Sequence, residues 1–170
     1  MNIGGARGVW SPEEGLLAEL EEMPRYLARV SAGMSDEAAR RRPKGGGFGL
    51  VEQAWHLADL EREGFGERIR RLLAEDGPVL PDFDGARVAR ERDYRRRALA
   101  EGVAAFAAAR SGNLVYLRAL EAGAWERTGV QEGVGPIRLA DIPRMMHEHD
   151  ASHRQEIAAL QAAACEDDSR

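Results

Sequence analysis

Apolar positions recur at steps of three and four over most of the chain. Leu16, Leu17, Leu20 and Met23 keep this spacing, Pro24 interrupts it, and Tyr26, Leu27, Val30 and Met34 resume it. The pattern predicts a first helix that is kinked or built in two pieces. Ser11 is its expected N-cap, with Pro12 at the first helical position. Ser35-Asp36-Glu37 opens a short helical turn that ends near Pro43. Gly45-Gly46-Gly47 follows as a loop, without the Lys-Ser/Thr ending of a phosphate-binding loop. Leu50, Ala54, Leu57, Leu60, Phe65, Ile69 and Leu72 predict a second helix from about Leu50 to Ala74. Leu99, Val103, Phe106, Leu114, Leu117 and Leu120 mark a third, roughly from Arg87 to Ala122, with a bend expected near Gly102. The stripe Ile142, Met146, His149, His153, Ile157, Leu160 marks a fourth that continues to about Ala164. This last helix starts either at Asp141 as cap, with Pro143 in its first turn, or near Leu139 with a bend at the proline.

The stretches from Gly77-Pro78 to Asp84-Gly85 and from Gly129 to Pro136 read as loops. β-Branched residues are scattered and never form an alternating run, so no strand is expected. Four long helices without strands or internal repeats predict an all-α four-helix bundle. A single domain is expected over residues 11–164, with tails at 1–10 and 165–170. The chain of 170 residues is long enough for one substantial core. Helix spacing alone leaves the bundle topology open.

Composition narrows the function classes. The net charge is −5, and the basic runs Arg40–Arg42 and Arg95–Arg97 are flanked by acids, which speaks against nucleic acid as a partner. No apolar run approaches the ~18 residues of a membrane span. Residues 1–10 lack the apolar stretch of a signal peptide. A cytoplasmic protein with a small-molecule substrate is the expectation. Cys165 is the one cysteine, which excludes an intrachain disulfide and a cysteine-based zinc site; it is expected in a polar tail.

The chemistry concentrates in four histidines, His56, His147, His149 and His153. His149 and His153 are four apart and share the apolar stripe of the last helix, so both rings should face the interior. A lone histidine there is more often a hydrogen-bonded core residue. Two on one stripe each need partners for both ring nitrogens, and a metal ion satisfies one nitrogen of each. His56, beside the apolar stripe of the second helix, is the natural third ligand. Three imidazoles leave coordination positions open, as catalytic metal sites do. His147 points to a different face. A di-iron carboxylate site is disfavoured, because no Glu-x-x-His motif occurs.

The segment Trp55-His56-Leu57-Ala58-Asp59-Leu60-Glu61 resembles the His-Leu-x-Asp-x-Glu signature on the second helix of DinB/YfiT-like proteins. His149-Asp150-Ala151-Ser152-His153, followed by Ile157, resembles their last-helix motif. Tyr94, Arg110, Leu117, the stretch from Gly133 to Leu139 and the opening from Met23-Pro24 to Arg42-Pro43 add to the likeness, which spans nearly the whole chain. Two positions depart. Glu156 stands where the motif carries Gln, and Phe48-Gly49 replaces a Trp-Ser pair. The resemblance implies one divalent metal ion (zinc, nickel or iron) on the three histidines, and a homodimer. It also implies activities that include thiol-dependent S-transfer using a low-molecular-weight thiol.

Two functional readings follow. In the first the chain is a metal-dependent enzyme, a thiol S-transferase or a hydrolase. His56, His149 and His153 are then ligands, and Glu52, Asp59 and Glu156 are candidate catalytic acids that orient rings or move protons. In the second the metal is a structural or vestigial clip in a non-catalytic bundle that serves dimerisation or ligand binding.

Overall fold

The structure is a computed structural model and describes residues 12–168. Its bundle has four arms. The first is split into α1 (Pro12–Leu20) and α2 (Glu22–Ala32). The break falls at Glu21, so Pro24 lies in the first turn of α2, where its missing N–H costs no helical hydrogen bond. The expected N-cap, Ser11, lies outside the described residues. A short α3 (Asp36–Arg40), capped by the Ser35 hydroxyl, leads to the second arm. That arm is continuous from Leu50 to Ala74, as the periodicity predicts, but changes pitch on the way: α4 (Leu50–Asp59), a π-helical turn (Leu60–Phe65), then α5 (Gly66–Ala74).

The expected third helix is interrupted. α6 (Gly85–Glu91) and a 3-10 turn (Tyr94–Arg96) precede α7 (Leu99–Arg118). The chain turns at Asp93, whose φ of 47° is left-handed, and not at Gly102. Gly102 instead lets α4 and α7 approach: a Cβ there would lie 3.0 Å from the Trp55 ring. The last arm begins as a 3-10 turn (Leu139–Asp141) and becomes α8 (Ile142–Asp168). α8 runs beyond Ala164, so Cys165 sits exposed on a helix and not in a tail.

The expectation of no strand is overturned. Both expected loops contribute to a small sheet of β1 (Val79–Leu80), β2 (Thr128–Gln131) and β3 (Gly135–Arg138). β1 pairs parallel with β2, and β2 pairs antiparallel with β3 through a turn at Gly133, where φ is +75°. Inward Gln131 and Ile137 alternate with outward Val130 and Arg138, but four-residue strands are too short to stand out in a periodicity scan. Leu80 and Ile137 tie the sheet to the helical interior.

The interior divides into two apolar clusters. One gathers Met23, Leu27, Trp55, Tyr94, Phe106 and Ile157. The other gathers Leu17, Leu20, Phe65, Ile69, Leu114 and Met146. Along α8, Met146 belongs to one cluster and Ile157 to the other, so His149 and His153 fall at the seam. No described helix is long and apolar enough to cross a membrane.

Candidate metal centre

α4 and α8 bring three rings together. The Nε2 atoms of His153 and His149 are 2.9 Å apart, and those of His56 and His149 are 3.4 Å apart. One nitrogen from each of the three rings lies within 4.8 Å of the others. Nitrogens bound at ~2.05 Å to a tetrahedral ion sit about 3.3 Å from one another, close to this spacing. His147 is remote from the cluster, half exposed, with Nε2 3.3 Å from Glu19.

Hydrogen bonding sets the state of one ring. Gln53, one turn before His56, reaches both His153 and Glu156. Its amide nitrogen donates to Glu156 Oε2 at 2.6 Å. Its carbonyl oxygen therefore faces His153 Nδ1, 2.5 Å away, and accepts the Nδ1–H. With the proton held on Nδ1, the Nε2 lone pair is free to bind a cation. His56 is set by packing instead. Its ring lies between Phe48 and Phe83, and its Nδ1 is buried without a hydrogen-bond partner among the described residues. Gly85 abuts the same edge: a Cβ there would come within 2.6 Å of Nδ1.

Burial keeps all three rings neutral. His56 is pushed down to about 4, first by desolvation and then by His153. Desolvation lowers His153 to about 4, and with its neighbours lowers His149 to about 2. Neutral imidazoles whose Nε2 atoms converge, that of His153 with its lone pair free, fit a divalent cation.

The candidate acids are placed differently. Glu156 lies against the cluster, with Oε2 3.5 Å from His153 Nδ1 as well as bonded to Gln53. Glu52 turns away from His56. It accepts the Gly49 N–H at the start of α4 (3.1 Å) and pairs with Arg42. Burial raises its carboxyl, but Arg42 and the Gly49 N–H outweigh this and hold it below the usual range. Asp59 is fully buried and also makes no bond to a histidine. It accepts from the Tyr94 hydroxyl at 2.5 Å, from Arg92 at 2.7 Å, and from Arg62. Burial raises its carboxyl, and Tyr94 and the two arginines hold it low. Both acids brace α4; neither is placed to orient the His56 ring.

A buried charge cluster anchors the other side of α8. The Arg110 guanidinium forks onto Asp150 at 2.7 and 3.0 Å, bonds the Leu20 carbonyl at 2.8 Å, and lies 3.0 Å from Glu61. Asn113 adds bonds to the Glu61 carbonyl and side chain, both at 2.9 Å. Asp150 follows His149 directly and Glu61 lies in the π-helical turn, so this cluster fixes how α8 meets the second arm.

His56 and His149 line a cleft of about 640 Å³ between the bundle and the sheet. Leu60, Phe65, Phe83, Ile137 and Met145 give it apolar walls. Sequence reasoning found the three histidines and missed Gln53, Phe83 and Gly85. Gln53 had one available signal, its place three residues before His56 on the same helical face.

Comparison with known proteins agrees with this architecture. A search of curated proteins finds no match. Among solved structures, YfiT from Bacillus subtilis superposes with a TM-score of 0.82 at 21% identity, over 92% of this chain and 91% of that one. It is described as a probable metal-dependent hydrolase with an unusual four-helix bundle topology. The family profile described as the DinB superfamily matches residues 19–157, a span that includes all three clustered histidines and the Arg110 anchor. On that match, the chain belongs to the DinB superfamily.

Proposed function

We propose that the chain is a metal-dependent enzyme that holds one divalent ion on His56, His149 and His153 and acts on a small molecule in the adjoining cleft. One observation carries this reading: the Nε2 atoms of His56, His149 and His153 converge beside the cleft, and Gln53 keeps the His153 proton on the opposite nitrogen. A cation there supplies Lewis acidity, which acidifies a neighbouring water or thiol and polarises a carbonyl.

The protein's own contribution is positional. Gln53 and Glu156 fix the His153 ring, while Phe48, Phe83 and Gly85 fix His56. Phe65, with its ring 6.0 Å from that of His149, helps exclude bulk water from the wall. Hydrolysis is the first reading, and the description of YfiT supports it. Thiol S-transfer is the second, supported by the cleft, whose volume is ample for a thiol beside an electrophile. The thiol then comes from outside, since Cys165 is exposed far along α8. Cobalt-substituted protein distinguishes the two. A sulfur-to-metal charge-transfer band on adding low-molecular-weight thiols at neutral pH supports S-transfer. No band, with ester or amide cleavage by the zinc- or nickel-loaded protein, supports hydrolysis. Neither behaviour would leave a structural metal as the better account.

A further inference from the structure

Two arginines of this chain are buried to a similar degree but differ in their partners. Arg110 is 2% exposed, and although its Nε also lacks a partner among the described residues, its Nη atoms meet two carboxylates at 2.7 and 3.0 Å and a carbonyl at 2.8 Å. Arg68, on α5, is 5% exposed, and its Nε has no hydrogen-bond partner among the described residues. Its nearest acid, Asp82, is 4.0 Å from Nη2, at the limit of an ion pair, and is itself 71% exposed. The Phe65 ring lies 5.5 Å from the guanidinium carbon. A buried guanidinium without a close counter-ion is costly, and natural chains retain such groups where a ligand completes them.

The setting supplies the place for that ligand. Arg68 lines the same cleft as His56 and His149. So does Gln131 on β2, which is 5% exposed and whose side-chain oxygen has no partner. Of the other charged groups of the wall, Asp82 is the exposed acid at 4.0 Å, Arg144 pairs with Glu148 at 2.7 Å, and Asp141 accepts the Arg138 N–H at 2.8 Å. Among the described residues, Arg68 is thus the cationic group of this wall left without a close partner.

We propose that the cleft takes a small carboxylate-bearing molecule, its carboxylate held by the Arg68 guanidinium and a hydroxyl or amide N–H of the same molecule donating to the Gln131 side-chain oxygen. A planar carboxylate matches the guanidinium fork, which a spherical ion does not. The proposal deepens the metal-enzyme reading, since the reacting end of the same molecule then faces the histidines. Its test does not depend on metal.

Metal-free protein is titrated with hexanoate, benzoate and inorganic phosphate, and binding is followed by calorimetry and melting temperature. The carboxylates should bind and raise the melting temperature, with phosphate weaker. Arg68→Met should weaken carboxylate binding about 10- to 100-fold, the loss expected for a charge-assisted pair. It should melt no lower than wild type, because it removes an uncompensated buried charge, and its metal uptake should be unchanged. Arg68→Lys, which keeps the charge and loses the fork, should also bind carboxylates more weakly. Absence of carboxylate binding, a tighter Arg68-dependent binding of phosphate, or a markedly lower melting temperature for Arg68→Met would each overturn the proposal. Loss of metal uptake in the wild type would count instead against the metal reading.

Discussion

At His153 the orientation of one amide decides which nitrogen is available. Gln53 cannot turn its nitrogen toward Nδ1 without giving up Glu156, so the ring's proton and its lone pair have fixed places. Gln53→Leu should therefore lower metal affinity by about 10- to 100-fold, the usual effect of losing the partner of a ligating histidine. Competition against a chromophoric chelator measures it, and an unchanged affinity would show that Gln53 does not set the tautomer. The same burial makes metal-free protein sensitive to acid. His56 and His153 fall to about 4 when folded, whereas an unfolded histidine titrates near 6.5. The unfolded chain thus binds protons that the folded site refuses. The contribution of these rings to stability is complete above about pH 6.5 and shrinks as pH falls toward 4. Urea unfolding of metal-free protein at several pH values should show that decline, reduced in His153→Gln; equal slopes in the two proteins would contradict it.

At the scale of elements, the periodic signal and the closely packed signal behave differently. The second arm was legible from end to end because Leu50 through Leu72 keep a helical step, but its π-helical turn was not. That turn depends on Asn113 meeting the Glu61 carbonyl and on Gly66, where a Cβ would lie 2.9 Å from that carbonyl. The break at Asp93 was also hidden, since it rests on a left-handed backbone at a residue other than glycine, and so was β1, which pairs only with β2, far away in sequence. The histidine stripe on α8 was readable as a ligand surface, whereas Glu52 and Asp59 looked equally plausible until their arginine partners were placed. Two substitutions test these contacts. Gly85→Ala puts a methyl against the His56 ring; it should cost about 1–3 kcal/mol as overpacking does and weaken metal uptake. Wild-type affinity in that variant would show that His56 is not held by this contact. Arg110→Met strands Glu61 and Asp150 in the interior and should cost about 3–5 kcal/mol in urea unfolding. A loss below about 1 kcal/mol, the range of exposed pairs, would mean that the cluster does not anchor α8.

For the molecule as a whole, the fold and the site have one logic. Four helical arms bury two apolar clusters, the histidines occupy the seam between them, and the small sheet lines the cleft that His56 and His149 face. The central claim is that this seam is a metal centre. Metal content per chain, measured on protein loaded with zinc and freed of excess ion, tests it most directly. The account predicts one ion per chain in wild type and in His147→Ala, and near-complete loss in His56→Ala, His149→Ala and His153→Ala. No bound ion in the wild type, or a loss in His147→Ala equal to that in the other three, would contradict it.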